Sequence, residues 1–322
     1  STTCAWQQIT TYNRNVSAIQ TNGTLWTWGK NDFGQLGHGN TIDLNSPKQV
    51  GSDQDWQQVS NGFVHTMAIK KNGTLWGAGA NSYGVLGNGN TTGSLLFSQI
   101  GNEQNWAKVS AGAGHTLALK NDGSLWAWGA NNYGVLGDGT SMDKSTPQLI
   151  VPGTIWLDVA AGGNHSIGIR NDGTLWGWGN NALGAAGLSS MTSSNIPVQI
   201  DASPNWKQIA CGEHHNLALK TDGTLWAWGY QSTGELGIGN TLTQFAPVQV
   251  GTDNDWKEIG VSASSSFAIK SDGTLWGWGN NYIGQFGIGS TGISYVPILL
   301  DQSNSWKQIM GGADFTIGLT QQ

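Results

Sequence analysis

Apolar residues in this chain come in short runs set between turn residues, and none of the runs has the period of a helix. "LALK" (117–120 and again 217–220) alternates with the two-residue period of a strand. "TLWAWG" (224–229) places two tryptophans two residues apart, so both fall on one face of a strand. Short Trp-opened segments, such as "WQQVS" (56–60) and "WKEIG" (256–260), read as a further strand. The intervening residues are turn formers. A Gly-rich corner such as "AGAGHT" (111–116) follows the Trp-opened strand. An Asn-Gly or Asp-Gly pair, as at Asp222–Gly223, precedes the tryptophan pair and predicts a type I′ hairpin. A Gly-x-x-Gly loop such as "GQLG" (34–37) then leads to a variable stretch and a closing strand, "SPKQV" (46–50) or "APVQV" (246–250).

The same order recurs every 50 residues. Trp6, Trp56, Trp106, Trp156, Trp206, Trp256 and Trp306 open the units. Trp26, Trp76, Trp126, Trp176, Trp226 and Trp276 keep the period, as do Trp28, Trp128, Trp178, Trp228 and Trp278, with Ala78 in the sixth place. Fixed periods of this size mean solenoids, propellers or arrays. Four short strands per unit describe a propeller blade. Seven copies of the first two strands and six of the last two give 26 strands. We therefore expect one domain over residues 1–322: an all-β, seven-bladed propeller with an incomplete blade where the termini meet. A missing outer strand costs only an edge. The alternative is a chain cut from a longer protein.

Composition narrows the function. Charged residues make up 11% of the chain and the net charge is −6, which argues against a broad electrostatic grip on nucleic acid. No apolar stretch approaches the roughly 20 residues of a spanning helix, so no membrane insertion is expected. The chain begins with Ser, and we expect a leader or initiator Met to be already removed. Cys4 and Cys211 occupy different repeat positions in distant units and are expected to be two free thiols.

The consensus W-x-x-V-S-A-G-x-x-H-T-x-A-L-K-x-D-G-x-L-W-x-W-G-x-N-x-x-G-x-L-G resembles the RCC1 (regulator of chromosome condensation) repeat over essentially the whole chain, and the resemblance implies a seven-bladed propeller. Three branches of that family are instructive. The chromatin-bound exchange factor uses a basic tail and an inserted wedge, and this sequence has neither. The plant ultraviolet receptor sets corner tryptophans against arginines. Here the corners read "NGFVH", "AGAGH", "AGGNH" and "CGEHH", and Arg14 and Arg170 are the only arginines. The secreted β-lactamase inhibitor carries aromatics at most corners, where this chain has Tyr12, Phe63 and Phe315. The wording of "NWKQIACG" (205–212) and "LALKTDGTLWAWG" (217–229) is most similar to bacterial and bacteriophage RCC1-repeat proteins. That likeness implies a binding or structural role, as a virion or cell-surface component, and an extracellular or virion-associated location. The alternative reading is a secreted enzyme inhibitor. An exchange factor or an ultraviolet receptor stands behind both.

No catalytic residues, metal site or cofactor are expected. His65, His115, His165 and His215 share one repeat position, but Asn15, Ser265 and Phe315 fill the equivalent places. We read each histidine as fixing its own corner through a ring N–H to a backbone oxygen. Glu213 and His214 of "GEHH" are the best local metal candidates, but adjacent strand residues point to opposite faces and a third ligand is lacking. Asp122, Asp172, Asp222 and Asp272 precede turn glycines, where Asp tolerates left-handed backbone. "GQLG", "GVLG" and "GELG" lack the Lys-Ser/Thr of a phosphate loop. The tryptophan pairs, with a small residue between them, read as packing between blades, the small residue receiving a neighbour.

Positions that vary from unit to unit are the candidate partner surface. One set lies at the corners: Tyr12, Arg14, Phe63, Val64, Asn164, Glu213, His214, Asp314 and Phe315. These should ring the channel mouth, with Arg14 and Asp314 latching the closure. The other set, expected in loops of an alternative face, is Leu44, Leu95, Leu96, Met142, Leu242, Phe245 and Tyr295. The expected partner is a protein or a glycan.

Overall fold

A computed structural model of the chain describes residues 5–321, so Cys4 lies outside the described residues. The 26 strands form six four-stranded antiparallel sheets and one two-stranded sheet. In the first blade the strands run in sequence order from the channel outward: Trp6–Tyr12, Asn15–Gln20, Leu25–Gly29 and Leu44–Gln49. The next five blades repeat this order. The seventh sheet pairs Trp306–Gly311 with Thr316–Thr320. It closes the ring on the first blade, where Gln308 donates from Nε2 to Ile9 O (2.9 Å) and accepts at Oε1 from Ile9 N (3.0 Å).

The hairpin differs from the expected type I′. That turn needs positive φ at both central residues, and Asn13, Val151 and Ser189 are the only non-glycine residues with positive φ among those described. In the second blade Gly73 N donates to Lys70 O (2.8 Å) and Lys70 N to Thr74 O (3.0 Å), with Gly73 alone left-handed (φ 78°). This is a turn followed by a glycine bulge. The Asn or Asp before the glycine has another duty. Asp222 Oδ1 accepts from Thr224 N (3.0 Å) and from Thr224 Oγ1 (2.7 Å). With its proton given to Asp222, the Thr224 oxygen accepts from the Trp226 indole N–H (2.9 Å). The "DGTLW" wording is thus a relay that fixes the first tryptophan of the pair.

The two tryptophans of a pair have separate roles. Trp128, Trp178, Trp228 and Trp278 are completely buried in the seam with the preceding blade. Trp126 and its equivalents are half-buried, and in five of the six units a cation from the end of the second strand covers them. Lys70, Lys120, Arg170, Lys220 and Lys270 each lie over two indoles, as Lys120 does at 3.9 Å from Trp126 and 4.8 Å from Trp106. The small residue between the pair meets the Gly-x-x-Gly loop of its own unit, not a neighbouring blade: a Cβ on Gly77 would strike Met67 Sδ and Leu86 Cδ2.

One seam solves the packing differently. In four other seams the buried indole presses on a glycine of the preceding unit, as Trp128 does on Gly87 and Trp278 on Gly237. The second blade has Ala78 instead of Trp, and Phe97, standing where five other units have proline, puts its ring against Gly37. Phe97 also meets Trp56 edge-on at 5.5 Å, much as Trp128 meets Trp106 at 5.9 Å. One aromatic is supplied by the outer strand because the third strand lacks it. Phe97→Ala should therefore destabilise the protein by about 3 kcal/mol in urea denaturation. Ala78→Trp should also destabilise it, by overpacking. Combined with Phe97→Pro, Ala78→Trp should recover most of both losses, and strictly additive effects would contradict the exchange.

Candidate binding face around the channel mouth

The first strands enclose a central cavity of about 290 Å³ lined by Ile9, Val59, Val109, Val159, Ile209 and Ile259 between polar residues. A bulge after each opening tryptophan, as between Trp56 and Gln58, turns the tryptophan into the seam. It leaves the residue two places on to reach the next blade. Gln8 clamps both backbone groups of Val59 (3.1 Å each), and Gln58 those of Val109 (2.8 and 2.7 Å). At the same position Lys108 pairs with Asp158, and Gln208 donates to Glu258 (2.8 Å), whose carboxyl is pushed up by burial. Sequence reading missed these clamps, although the single repeat position shared by Gln8, Gln58, Lys108, Asp158, Gln208, Glu258 and Gln308 was the available signal.

At one end of the channel four of the seven neighbouring corners are joined by main-chain hydrogen bonds. Phe63 N donates to Gly112 O, Ala113 N to Gly162 O, Gly163 N to Gly212 O, and Ala313 N to Asn13 O. Beneath the corners lie the histidines, each 0–1% exposed. Their partners are not their own corners, as sequence reading expected, but side chains of the following blade. Nε2 of His65, His115, His165 and His215 meets Thr116 Oγ1 (3.1 Å), Ser166 Oγ (2.9 Å), Asn216 Oδ1 (2.7 Å) and Ser266 Oγ (3.0 Å). The three hydroxyls give their own protons to the carbonyls of Val85, Val135 and Glu235. They must therefore accept from the ring, which assigns the proton of each histidine to Nε2. The corner itself is fixed by main chain, as Gly62 N donates to His65 O (2.8 Å). Gly62, Gly112, Gly162 and Gly212 are glycines because a Cβ would strike the imidazole.

The corner residues come together at the mouth. Tyr12, Asn13, Phe63, Glu213, Ala263 and Ala313 all line it. Tyr12 and Phe63 meet edge-to-face at 6.4 Å, and Phe63 remains 46% exposed. Burial, and secondarily the Glu213 charge, push the Tyr12 phenol up, and its hydroxyl has no partner. Arg14 Nε lies 2.6 Å from Asp314 Oδ2, joining first and last units as expected. Glu213 and His214 lie 3.8 Å apart, and His214 meets Tyr230 edge-on. Val64 is half-buried and Asn164 exposed, and their carbonyls anchor Ala80 N and Asn180 N. Phe315 is different: it fills the histidine slot beneath Gly312 and is half-buried in the closing seam. Val16 stands there in place of the hydroxyl, so both polar partners are replaced together.

The comparisons agree with this architecture. The RCC1-like domain matches residues 95–322, and the RCC1 (regulator of chromosome condensation) repeat matches residues 22–69. The chain belongs to the RCC1-like domain family. The Protein RCC2 homolog of Danio rerio is 59% identical over 32 residues, a stretch covering 10% of this chain and 6% of that protein. The structure of human WBSCR16 superposes with a TM-score of 0.88 at 24% identity, covering 99% of this chain and 87% of that one. Prp20p from Saccharomyces cerevisiae, described with its binding to Gsp1p and histones, gives 0.87 at 20% identity, covering 98% and 82%. At these identities the likeness is one of fold.

In this RCC1-like propeller the second candidate set is spread over the outer strands of five units. Leu44, Leu95, Leu96, Phe245 and Tyr295 begin outer strands, not loops, and Met142 and Leu242 are both 68% exposed just before theirs. The carbonyls of Leu95, Phe245 and Tyr295 accept from Gly39, Ser189 and Gly239 of the preceding units (2.8 Å each). Nor is this an alternative face. Lys30 N binds Arg14 O and Lys30 Nζ lies 2.8 Å from Asp43, which sets the outer loop beside the corner at the same end. Cys211 is a free thiol, pushed up by burial.

The buried histidines should make the propeller acid-sensitive. Burial lowers their pKa from 6.5 to about 4 in His65, His165 and His215, and to about 3 in His115. Between those values and 6.5 the folded chain binds fewer protons than the unfolded one, so stability falls as pH falls. Each histidine should withdraw about 1.4 kcal/mol per pH unit below its unfolded pKa. Equilibrium unfolding from pH 7 to 5 should show this slope, and His115→Ser should reduce it by about one proton's worth. Asp314→Asn should lower the melting point slightly at low salt and not at high salt, since the exposed pair is worth about 0.5 kcal/mol.

Proposed function

We propose that this protein is a non-enzymatic binding propeller that presents the corner face of the channel to a protein partner. The observation that carries the reading is the mouth itself. The repeat holds the scaffold constant and varies the corners, and the variation concentrates an exposed Phe63, a supporting Tyr12 and a facing Glu213 around one opening. Aromatic anchors beside a polar rim are the usual energetic centre of a protein interface. The titratable groups beneath the mouth are engaged in holding blades together: the histidines are neutral and their only protonated nitrogens are committed to the next blade. A virion or cell-surface setting, suggested by the Asn/Thr/Gly-rich wording, belongs to the same proposal.

The test compares two variant sets against a partner captured by the wild-type protein. Phe63→Ala with Glu213→Ala should weaken binding by about 30-fold, the effect of a hot spot worth about 2 kcal/mol. The melting point should stay near that of the wild type. Met142→Ser with Leu242→Ser should leave binding unchanged. The reverse outcome would move the interface to the outer strands.

A further inference from the structure

The cations stacked on the tryptophans lie at the end of the channel opposite the corners, and four of the five are neutralised by a carboxylate within the chain. Lys70 holds Asp53 (2.6 Å) and Asp55 (3.2 Å). Lys120 holds Glu103 (2.8 Å), Lys220 holds Asp201 (3.7 Å), and Lys270 holds Asp253 (2.6 Å) and Asp255 (3.1 Å). Asp53, Asp55, Glu103, Asp253 and Asp255 come from the loop entering that unit's first strand, and Asp201 ends the outer strand just before it. The fourth unit breaks the rule three times over. Its cation is Arg170, its entering loop is Val151-Pro152-Gly153-Thr154-Ile155 with no charge, and no ion pair to Arg170 forms among the described residues.

The local structure keeps the cation in place. The guanidinium carbon lies 3.3 Å from the centre of the Trp176 ring and 5.1 Å from that of Trp156. Nε is buried without a partner. Asp172, whose charge acts on Arg170, is committed to Thr174 N (3.0 Å) and Oγ1 (2.6 Å). The loop begins as three of its sisters do, Val151 taking the left-handed conformation (φ 47°) held by Gly51, Gly101 and Gly251, although a β-branched residue seldom adopts it, and then makes a turn of its own in which Thr154 N donates to Val151 O (3.2 Å). Two exposed apolar side chains flank Trp156, on which the arginine is stacked. Ile155 is 46% exposed, with its carbonyl bound to Asn171 N (3.0 Å), and Leu157 is 59% exposed.

We propose that Arg170 is a docking site for a carboxylate side chain of a protein partner, with Ile155 and Leu157 receiving an apolar residue next to it. The sister units show that a carboxylate belongs over this stacked cation, and here the chain supplies none. The change from lysine to arginine fits the assignment, since a planar fork pairs two-pronged with a carboxylate while remaining stacked on an indole. The site is separate from the corner face, so it stands or falls independently of the function proposed above.

The chain has two arginines, so its arginine Nε–H spectrum has two resonances and each can be followed by NMR in the intact protein. Titration with the capped dipeptide acetyl-Leu-Glu-amide should move the Arg170 resonance saturably, with a dissociation constant on the order of millimolar. The Arg14 resonance should not follow, and acetyl-Leu-Gln-amide should give no saturable shift. Ile155→Asp puts a carboxylate where Asp55 and Asp255 stand in the sister units. It should shift the Arg170 resonance in the absence of peptide and weaken the dipeptide response at least about tenfold. Equal responses to the Glu and Gln dipeptides, or an undiminished response in Ile155→Asp, would overturn the proposal.

Discussion

Four of the seven seams are organised about one backbone carbonyl, that of the residue after the first glycine of the Gly-x-x-Gly loop. Val85 O receives the indole N–H of Trp128 (2.7 Å) and the hydroxyl of Thr116 (2.9 Å), and that hydroxyl holds Nε2 of His65. The same node recurs at Val135, Ala185 and Glu235. It requires a tryptophan, a small polar residue and a neutral histidine from two units, all in dry surroundings. In such surroundings a lost partner leaves a buried polar atom unsatisfied, at about 1–3 kcal/mol each. The long apolar stack of each seam supplies most of the adhesion, and the node sets its register.

Rigidity at the seams is what frees the corners to differ. Each corner is tied by main-chain bonds to its own histidine position, and four of the seven also to the next corner, so away from the closing junction the corner side chains carry little structural duty. A surface of that kind can change composition without changing shape. The opposite end behaves otherwise. There the variable residues are themselves part of the scaffold, as cations clamped between indoles and loop carboxylates, and a departure such as Arg170 alters a structural element.

The period, the strand order, the count of units and the clustering of the corners were all legible in the sequence, because each depends on residues that repeat at fixed spacing. The Arg14–Asp314 pair was legible too, since ring closure makes the first and last units neighbours. What sequence reading missed lies between units. The histidine partners are 51 residues away, the indole acceptor 43, and the Phe97–Ala78 exchange joins an outer strand to a missing side chain on its neighbour. A local reading assigns such groups local partners, as it did for the histidines and for the turn. The turn failed for a related reason: Asp-Gly is compatible with two hairpins, and the threonine and tryptophan that follow decide between them. The outer apolar residues were placed in loops because strand pairing there begins before the proline, in wording with little strand character.

The apolar replacement of the histidine contact at the closing seam bears on how the ring measures its own circumference. Units this similar can nest on several neighbours, and a circle closed too soon would satisfy most of the same apolar surfaces. Phe315 with Val16, and Asp314 with Arg14, belong to one junction only. Closure two units early would set His215 against Val16 and His214 against Arg14, leaving an imidazole N–H buried without an acceptor and the guanidinium without a carboxylate. The mismatch penalises that smaller circle.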